Sequence, residues 1–243
     1  MAAGRSALAP SDALARLPDA RAAVVQGPDL APWLKRRKDV RLLARASMLA
    51  LPAAGRALIG MEVTPEELGL FVAVHREPPD EGEAEASLVA METAGRLDLG
   101  KLGGAGRDLY PPLLPLRTLP NMVLAHVSIQ YGIRGENGTF AGESEAGGQA
   151  LRAAVRAVEE GRAPMALAGA SYSGVDLASA RDRLRLGRTT PPGEAAVFAL
   201  IGPGGAPIPD APDWQDAMGD CGPVSGLWGA LLAGAMLPSS TTR

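Results

Sequence analysis

Apolar positions along this chain switch repeatedly between helical and strand spacing, and Gly, Pro or charged clusters mark most of the switches. After a stretch mixing Ala, Pro and Asp, a helix is expected at 11–17 and a short strand near "AAVVQG". Residues 30–60 form the first strong helical region. There Leu34, Val40, Leu42, Leu43, Ala46, Leu49 and Leu51 recur near helical spacing, with basic residues largely between them. "VTPEELGLFVAV" predicts a helix start, capped by Thr64 with Pro65 in the first helical position, and then a buried strand ending at His75. "HREPPDEGEAEASL" reads as a polar, acidic, mobile loop.

Further on, "LPNM" is a turn into a helix, and "AHVSIQYGI" is the end of that helix or the start of a strand. "RGENGTF" is a turn leading to a strand. A helix follows with Ala150, Leu151, Ala154, Val155 and Val158 on one face and Gly161 at its end. "APMALAGASYS" reads as a small-residue buried strand, "DLASARDRLRLGRTTPPG" as a polar connection, and "EAAVFALIG" as another buried strand. "PGGAPIPDAPDWQD" is a loop, "GDCGPVSGLWGALLAGAML" a Gly-rich turn with an apolar helix, and "PSSTTR" a frayed tail. Such alternation implies an α/β protein with a covered, mixed but largely parallel sheet.

Composition narrows the function classes. In 243 residues, 47% are hydrophobic and 21% charged, the profile of a globular protein with room for one sizeable core or two small ones. Aromatic residues are only 4% while Ala and Gly abound, so elements are expected to pack unusually close. A net charge of −3 argues against a nucleic-acid partner. The Arg-rich stretches at 35–45 and 181–188 are balanced by acids elsewhere; the first is a solvated basic edge or a surface for an anionic partner such as a carrier protein. Cys221 is the only cysteine, so neither an intrachain disulfide nor a cysteine-based metal site can form, and no metal or cofactor is expected. No apolar run reaches the roughly 18 residues of a membrane span, and no secretory signal opens the chain, so a cytoplasmic location is the default.

Candidate chemistry centres on Ser144, in "GESEA" at the turn before a helix. The phosphate-loop, zincin, dinucleotide and G-x-S-x-G patterns are all missing. A serine nucleophile needs a base, and His75 and His126 are the only histidines. From its surroundings alone, Ser144 reads as a helix N-terminal residue or cap, with Glu143 and Glu145 favourable at the positive helix end.

The combination says more than any single motif. "LPNMVLAHVSIQYGIRGENGTF", the Ser144 turn, "EEGRAPMALAGA", "GEAAVFALIG" and "GDCGPVSGLWGALLAGAML" together resemble the β-ketoacyl synthase family of the thiolase fold. The resemblance runs over 109–175 and 193–236 and implies a thiolase-like layered fold. It also implies a single ketosynthase-like domain over 1–243: a first thiolase-like half at 1–190, then a shortened second half at 191–243 that "GEAAVFALIG" opens. Counting back from Gly161, Ser144 matches the family's catalytic cysteine, and Asp220 matches one of its histidines. The segment for the other histidine has no counterpart. Serine without a base is a poor nucleophile, and aspartate cannot donate the oxyanion hydrogen bonds of an imidazole, so condensing activity is not expected from this chain alone.

These departures resemble the chain-length factors of type II polyketide systems, in particular the short ketosynthase-like partner of aryl-polyene pathways. The implied role is to pair with an active ketosynthase, through "APMALAGA" and the "PNM" region, and to shape an acyl tunnel fed by an acyl carrier protein with a phosphopantetheine-bound chain. Met122, Phe140 and Tyr172 are the tunnel or interface candidates. The alternatives are a Ser144-dependent acyltransferase or acyl hydrolase, helped by His126 or Asp220, and a homodimeric structural relic.

Overall fold

The computed structural model describes residues 8–15, 21–76, 85–204 and 220–236. Strand β1 (Gly69–Val74) is an unbroken run of apolar and small residues, all buried. A strand with no polar alternation must be covered on both faces. It pairs in parallel with β2 (Asn137–Ala141) on one side and β3 (Ala166–Ser173) on the other, while β4 (Glu194–Ile201) runs antiparallel along β3. The order across the sheet is therefore β2-β1-β3-β4.

Side chains leave the sheet in two sets, as strand alternation requires. Leu70, Val72, Val74 and Leu167 pack against helices α1 (Arg45–Ala57) and α2 (Met122–Tyr131). Phe71, Ala73, Ala166, Ala168, Ala170 and Tyr172 pack on the opposite face, beneath α3 (Ser144–Glu159) and α5 (Pro223–Met236). A further helix, α4 (Leu177–Arg185), follows β3. Helices α3 and α5 touch backbone to backbone. A Cβ at Gly226 would lie 1.8 Å from the Ser144 carbonyl oxygen, and one at Gly147 would lie 2.1 Å from the Pro223 carbonyl oxygen. The expected close packing of small residues is concentrated at this crossing.

Several expectations change. Thr64 and Pro65 start only a turn, in which the Thr64 hydroxyl donates to Glu67 Oε2 at 2.6 Å, and β1 begins directly after it. The region 30–60 divides into two 3-10 turns, Ala31–Trp33 and Arg37–Leu42, before α1. At 11–17 a 3-10 turn spans Asp12–Leu14, and residues 16–17 lie outside the described set. "AHVSIQYGI" closes α2 rather than starting a strand. The connection 176–193 contains α4, capped by Asp176 accepting from the Ser179 N–H at 2.8 Å. Beyond its first residue β4 is half-buried rather than buried; among the described residues no strand pairs with its second edge, and an isolated bridge, Ala23 to Gly193, lies just before it. The strand of "GEAAVFALIG" is the antiparallel member of this sheet. The expected loop over 205–219, the tail after Met236 and most of the expected acidic loop, at 77–84, fall outside the described residues.

Candidate functional site

Strands β1, β2 and β3 all deliver their carboxyl ends to one edge of the sheet, where β4 begins; open parallel sheets collect functional groups there. Beyond β1 comes His75, and beyond β2 the turn Gly142–Glu143 enters α3 at Ser144. Glu143 occupies the cap position and Ser144 is the first helical residue, so of the two readings of Ser144 the helix N-terminal residue holds and the cap does not. The Glu143 N–H is bonded instead by Glu145 Oε1, at 3.2 Å. Ser144 is exposed, at the mouth of a pocket of about 300 Å³ that also involves Glu143, Arg183, Arg188, Thr190 and Asp220.

Asp220 is held there by backbone as well as side chain. Its N–H donates to the Pro191 carbonyl at 2.9 Å, and its carbonyl accepts from the Gly193 N–H at 3.0 Å, so the start of the α5 segment is stitched to the approach of β4. Its carboxylate pairs with the buried Arg183 guanidinium, lies 3.3 Å from Arg188 Nη1, and accepts from the Gly222 N–H at 2.9 Å. Burial pushes the Asp220 carboxyl up, but the Arg183 hydrogen bond, the Gly222 N–H and both guanidinium charges outweigh it and hold the group below its ordinary value. Arg183 also donates to the Thr190 carbonyl. Arg188 bridges onward to Glu143 Oε2 at 3.0 Å, and Glu143 Oε1 is 3.2 Å from His75 Nε2. Two guanidiniums thus interleave with two carboxylates, with His75 at the end of the row.

His75 is a site residue that sequence reasoning took for an ordinary strand end. Its Nδ1 donates to the Arg76 carbonyl at 3.0 Å, and its ring meets Tyr172 edge-on, with centroids 5.5 Å apart. With Glu143 at Nε2, both ring nitrogens are engaged by oxygens other than the Ser144 hydroxyl. Its position after a buried strand was the available signal. Arg183 and Arg188 were missed because their run reads as a solvated connection.

His126 belongs elsewhere. It is buried on α2, on the opposite face of the sheet, and its Nε2 donates to the Leu42 carbonyl at 3.1 Å. Burial is the main cause lowering its pKa, and from the opposite face of the sheet it gives no help to Ser144. Cys221, next to Asp220, is buried, and burial together with the neighbouring Asp220 and Glu194 charges pushes its thiol up to about 12. Tyr172 is buried with a strongly raised phenol, and Phe140 packs half-buried on the same core. Met122 lies half-buried at the first turn of α2, in the other layer.

The expected interface through "APMALAGA" meets a difficulty. β3 is hydrogen-bonded on both sides and buried on both faces, so among the described residues the edges of the sheet are β2 and β4. No helix among the described residues is long and apolar enough to cross a membrane.

Solved structures share this fold. A type II PKS acyl-carrier protein in complex with its ketosynthase bound to the hexaketide is 18% identical with a TM-score of 0.60, over 75% of this chain and 53% of that one. A β-ketoacyl synthase from Burkholderia phymatum STM815 is 18% identical with a TM-score of 0.57, over 82% and 52%. The ishigamide ketosynthase/chain length factor is 24% identical with a TM-score of 0.55, over 85% and 57%. The chain therefore spans about half the length of these proteins. No curated protein matches its sequence. The family model for the β-ketoacyl synthase N-terminal domain matches residues 8–199, most of the chain and every strand of the sheet except its last two residues, and the protein belongs to that family.

Proposed function

We propose that this chain is a non-catalytic ketosynthase-like subunit, a chain-length factor, that pairs with an active β-ketoacyl-carrier-protein synthase in polyketide or fatty-acid-type biosynthesis. The observation that carries this reading is the state of the elbow. A hydroxyl stands at residue 144, and the carboxylate of Asp220 is locked into ion pairs with Arg183 and Arg188. A carboxylate so engaged neither takes a proton readily nor donates to an oxyanion. The ion pairs also line the pocket in front of α3 with fixed charge, which suits a structural element better than an acyl-binding surface.

The resemblance to a ketosynthase/chain length factor and to a ketosynthase complexed with its carrier protein supports pairing with both kinds of partner. Phe140 and Tyr172, beneath α3, and Met122, at the start of α2, are the side chains proposed to limit the partner's acyl tunnel or to face the partner. The whole chain acts as one ketosynthase-like domain in this role.

Co-expression with a type II ketosynthase encoded in the same genomic neighbourhood tests the proposal. The expected result is a stable heterodimer on size-exclusion chromatography whose product profile is unchanged by Ser144→Ala. A chain that remains monomeric beside that ketosynthase would overturn it. Covalent labelling of Ser144 by a fluorophosphonate, together with loss of product in Ser144→Ala, would favour the alternative acyltransferase or hydrolase.

A further inference from the structure

A strap of chain is anchored at both ends and arches over α1. At one end the Val25 N–H donates to Glu194 Oε1 at 2.8 Å, and Arg45 Nη2 donates to the Val25 carbonyl at 2.5 Å. At the other end the Lys35 N–H donates to Gln130 Oε1 at 2.7 Å. Between these anchors Pro28 and Pro32 restrict the backbone. The Trp33 indole occupies a slot that exists because residue 55 of α1 is glycine; a Cβ there would lie 2.2 Å from the indole and 2.5 Å from the Tyr131 hydroxyl.

Beneath the arch is a cavity of about 450 Å³, which shares no lining residue with the pocket at Ser144. Its size falls in the range of small-molecule sites. Val25, Leu49, Pro52, Ala53 and Ala196 give it apolar walls, and the Trp33 indole is the aromatic part of its lining. Arg56, on the lining, is exposed, and its guanidinium carbon lies 5.9 Å from the Trp33 ring centroid. Arg56 makes no ion pair among the described residues. Contact with the indole face holds the guanidinium while leaving its in-plane N–H donors for a ligand. Asp29 also lines the cavity. Its Oδ1 accepts from the Ala31 N–H at 3.1 Å, and its negative charge disfavours a ligand carrying more than one.

We infer that this cavity binds a small, flat aromatic monocarboxylate, its ring against Trp33 and its carboxylate on Arg56. The site is separate from the elbow and does not depend on the function proposed for it. Calorimetric titration of the full chain with 2-naphthoate and with its neutral analogue 2-naphthamide tests it. Naphthoate should bind one to one. The amide should bind roughly tenfold or more weakly, as should naphthoate to Arg56→Gln, since a charge-assisted pair is lost in both cases. Arg56 is exposed and loses only its contact with the indole in that variant, which should therefore stay folded with a thermal midpoint close to that of wild type. Ser144→Ala should bind naphthoate as wild type does. Equal affinity for the acid and the amide, undiminished binding by Arg56→Gln, or no binding at millimolar naphthoate would each overturn the assignment.

Discussion

At the scale of single residues, the elbow shows how position and chemistry separate. The place of Ser144 at a helix start was legible because a Gly-rich turn precedes it and an apolar helical face follows it. Its electrostatic setting was not, since Glu143, Arg188 and Asp220 come from three distant segments. The two possible thiols make the setting measurable. Cys221 is buried with its thiol pushed up to about 12, whereas a cysteine at 144 would be exposed at a helix N-terminus that favours a thiolate. Against an ordinary exposed thiol near pKa 8.5, Cys221 holds roughly a thousandfold less thiolate at pH 7.5. In Ser144→Cys, iodoacetamide should therefore modify residue 144 while leaving Cys221 intact, as read by peptide mass spectrometry. Comparable labelling of Cys221 in the folded protein would mean that the burial described for the Asp220 loop is wrong.

At the scale of elements, the continuous apolar runs of β1 and β3 announced buried strands, and the apolar face of α3 announced its helix. Helix α4 escaped because only Ala180 and Arg183 of its nine residues are buried, which leaves no apolar stripe to find; the Asp176 cap was its one signal. The antiparallel sense of β4 was also hidden, since pairing direction depends on where the chain returns and leaves no mark within eight residues. The crossing of α3 and α5 makes a sharper demand. Gly226 faces the fixed Ser144 carbonyl, so a methyl group there must push the helices apart. Gly148 lies on the same α3 helix, yet its nearest neighbour is the flexible end of Arg152 at 3.2 Å. Gly226→Ala should cost about 1–3 kcal/mol by overpacking, whereas Gly148→Ala should be neutral or stabilise by up to about 1 kcal/mol, as helix propensity dictates. Denaturant midpoints of the two variants separate these outcomes; equal effects would dissolve the backbone-to-backbone contact.

At the scale of the whole molecule, α5 and the polar edge of the sheet are joined through one carboxylate. Asp220 links the segment before α5 to α4 through Arg183, to the elbow through Arg188 and to the approach of β4 through backbone bonds. Its folded-state pKa lies below the ordinary value of 3.8, so the folded protein binds that proton less readily than the unfolded chain. The contribution to stability is therefore complete above pH 3.8 and is lost as the pH falls through the folded value. Protonation leaves Arg183, 7% exposed, without its counter-charge, and Asp220→Asn does the same at every pH. Breaking a buried pair by removing one charge typically costs about 3–5 kcal/mol. Asp220→Asn should thus lower stability by that order at pH 7 and flatten the loss that wild type shows on acidification below pH 4. Urea titrations of both proteins from pH 7 to pH 3 measure the difference. Parallel curves would assign the acid response to other carboxylates and leave Asp220 as a spectator of the ion pairs around it.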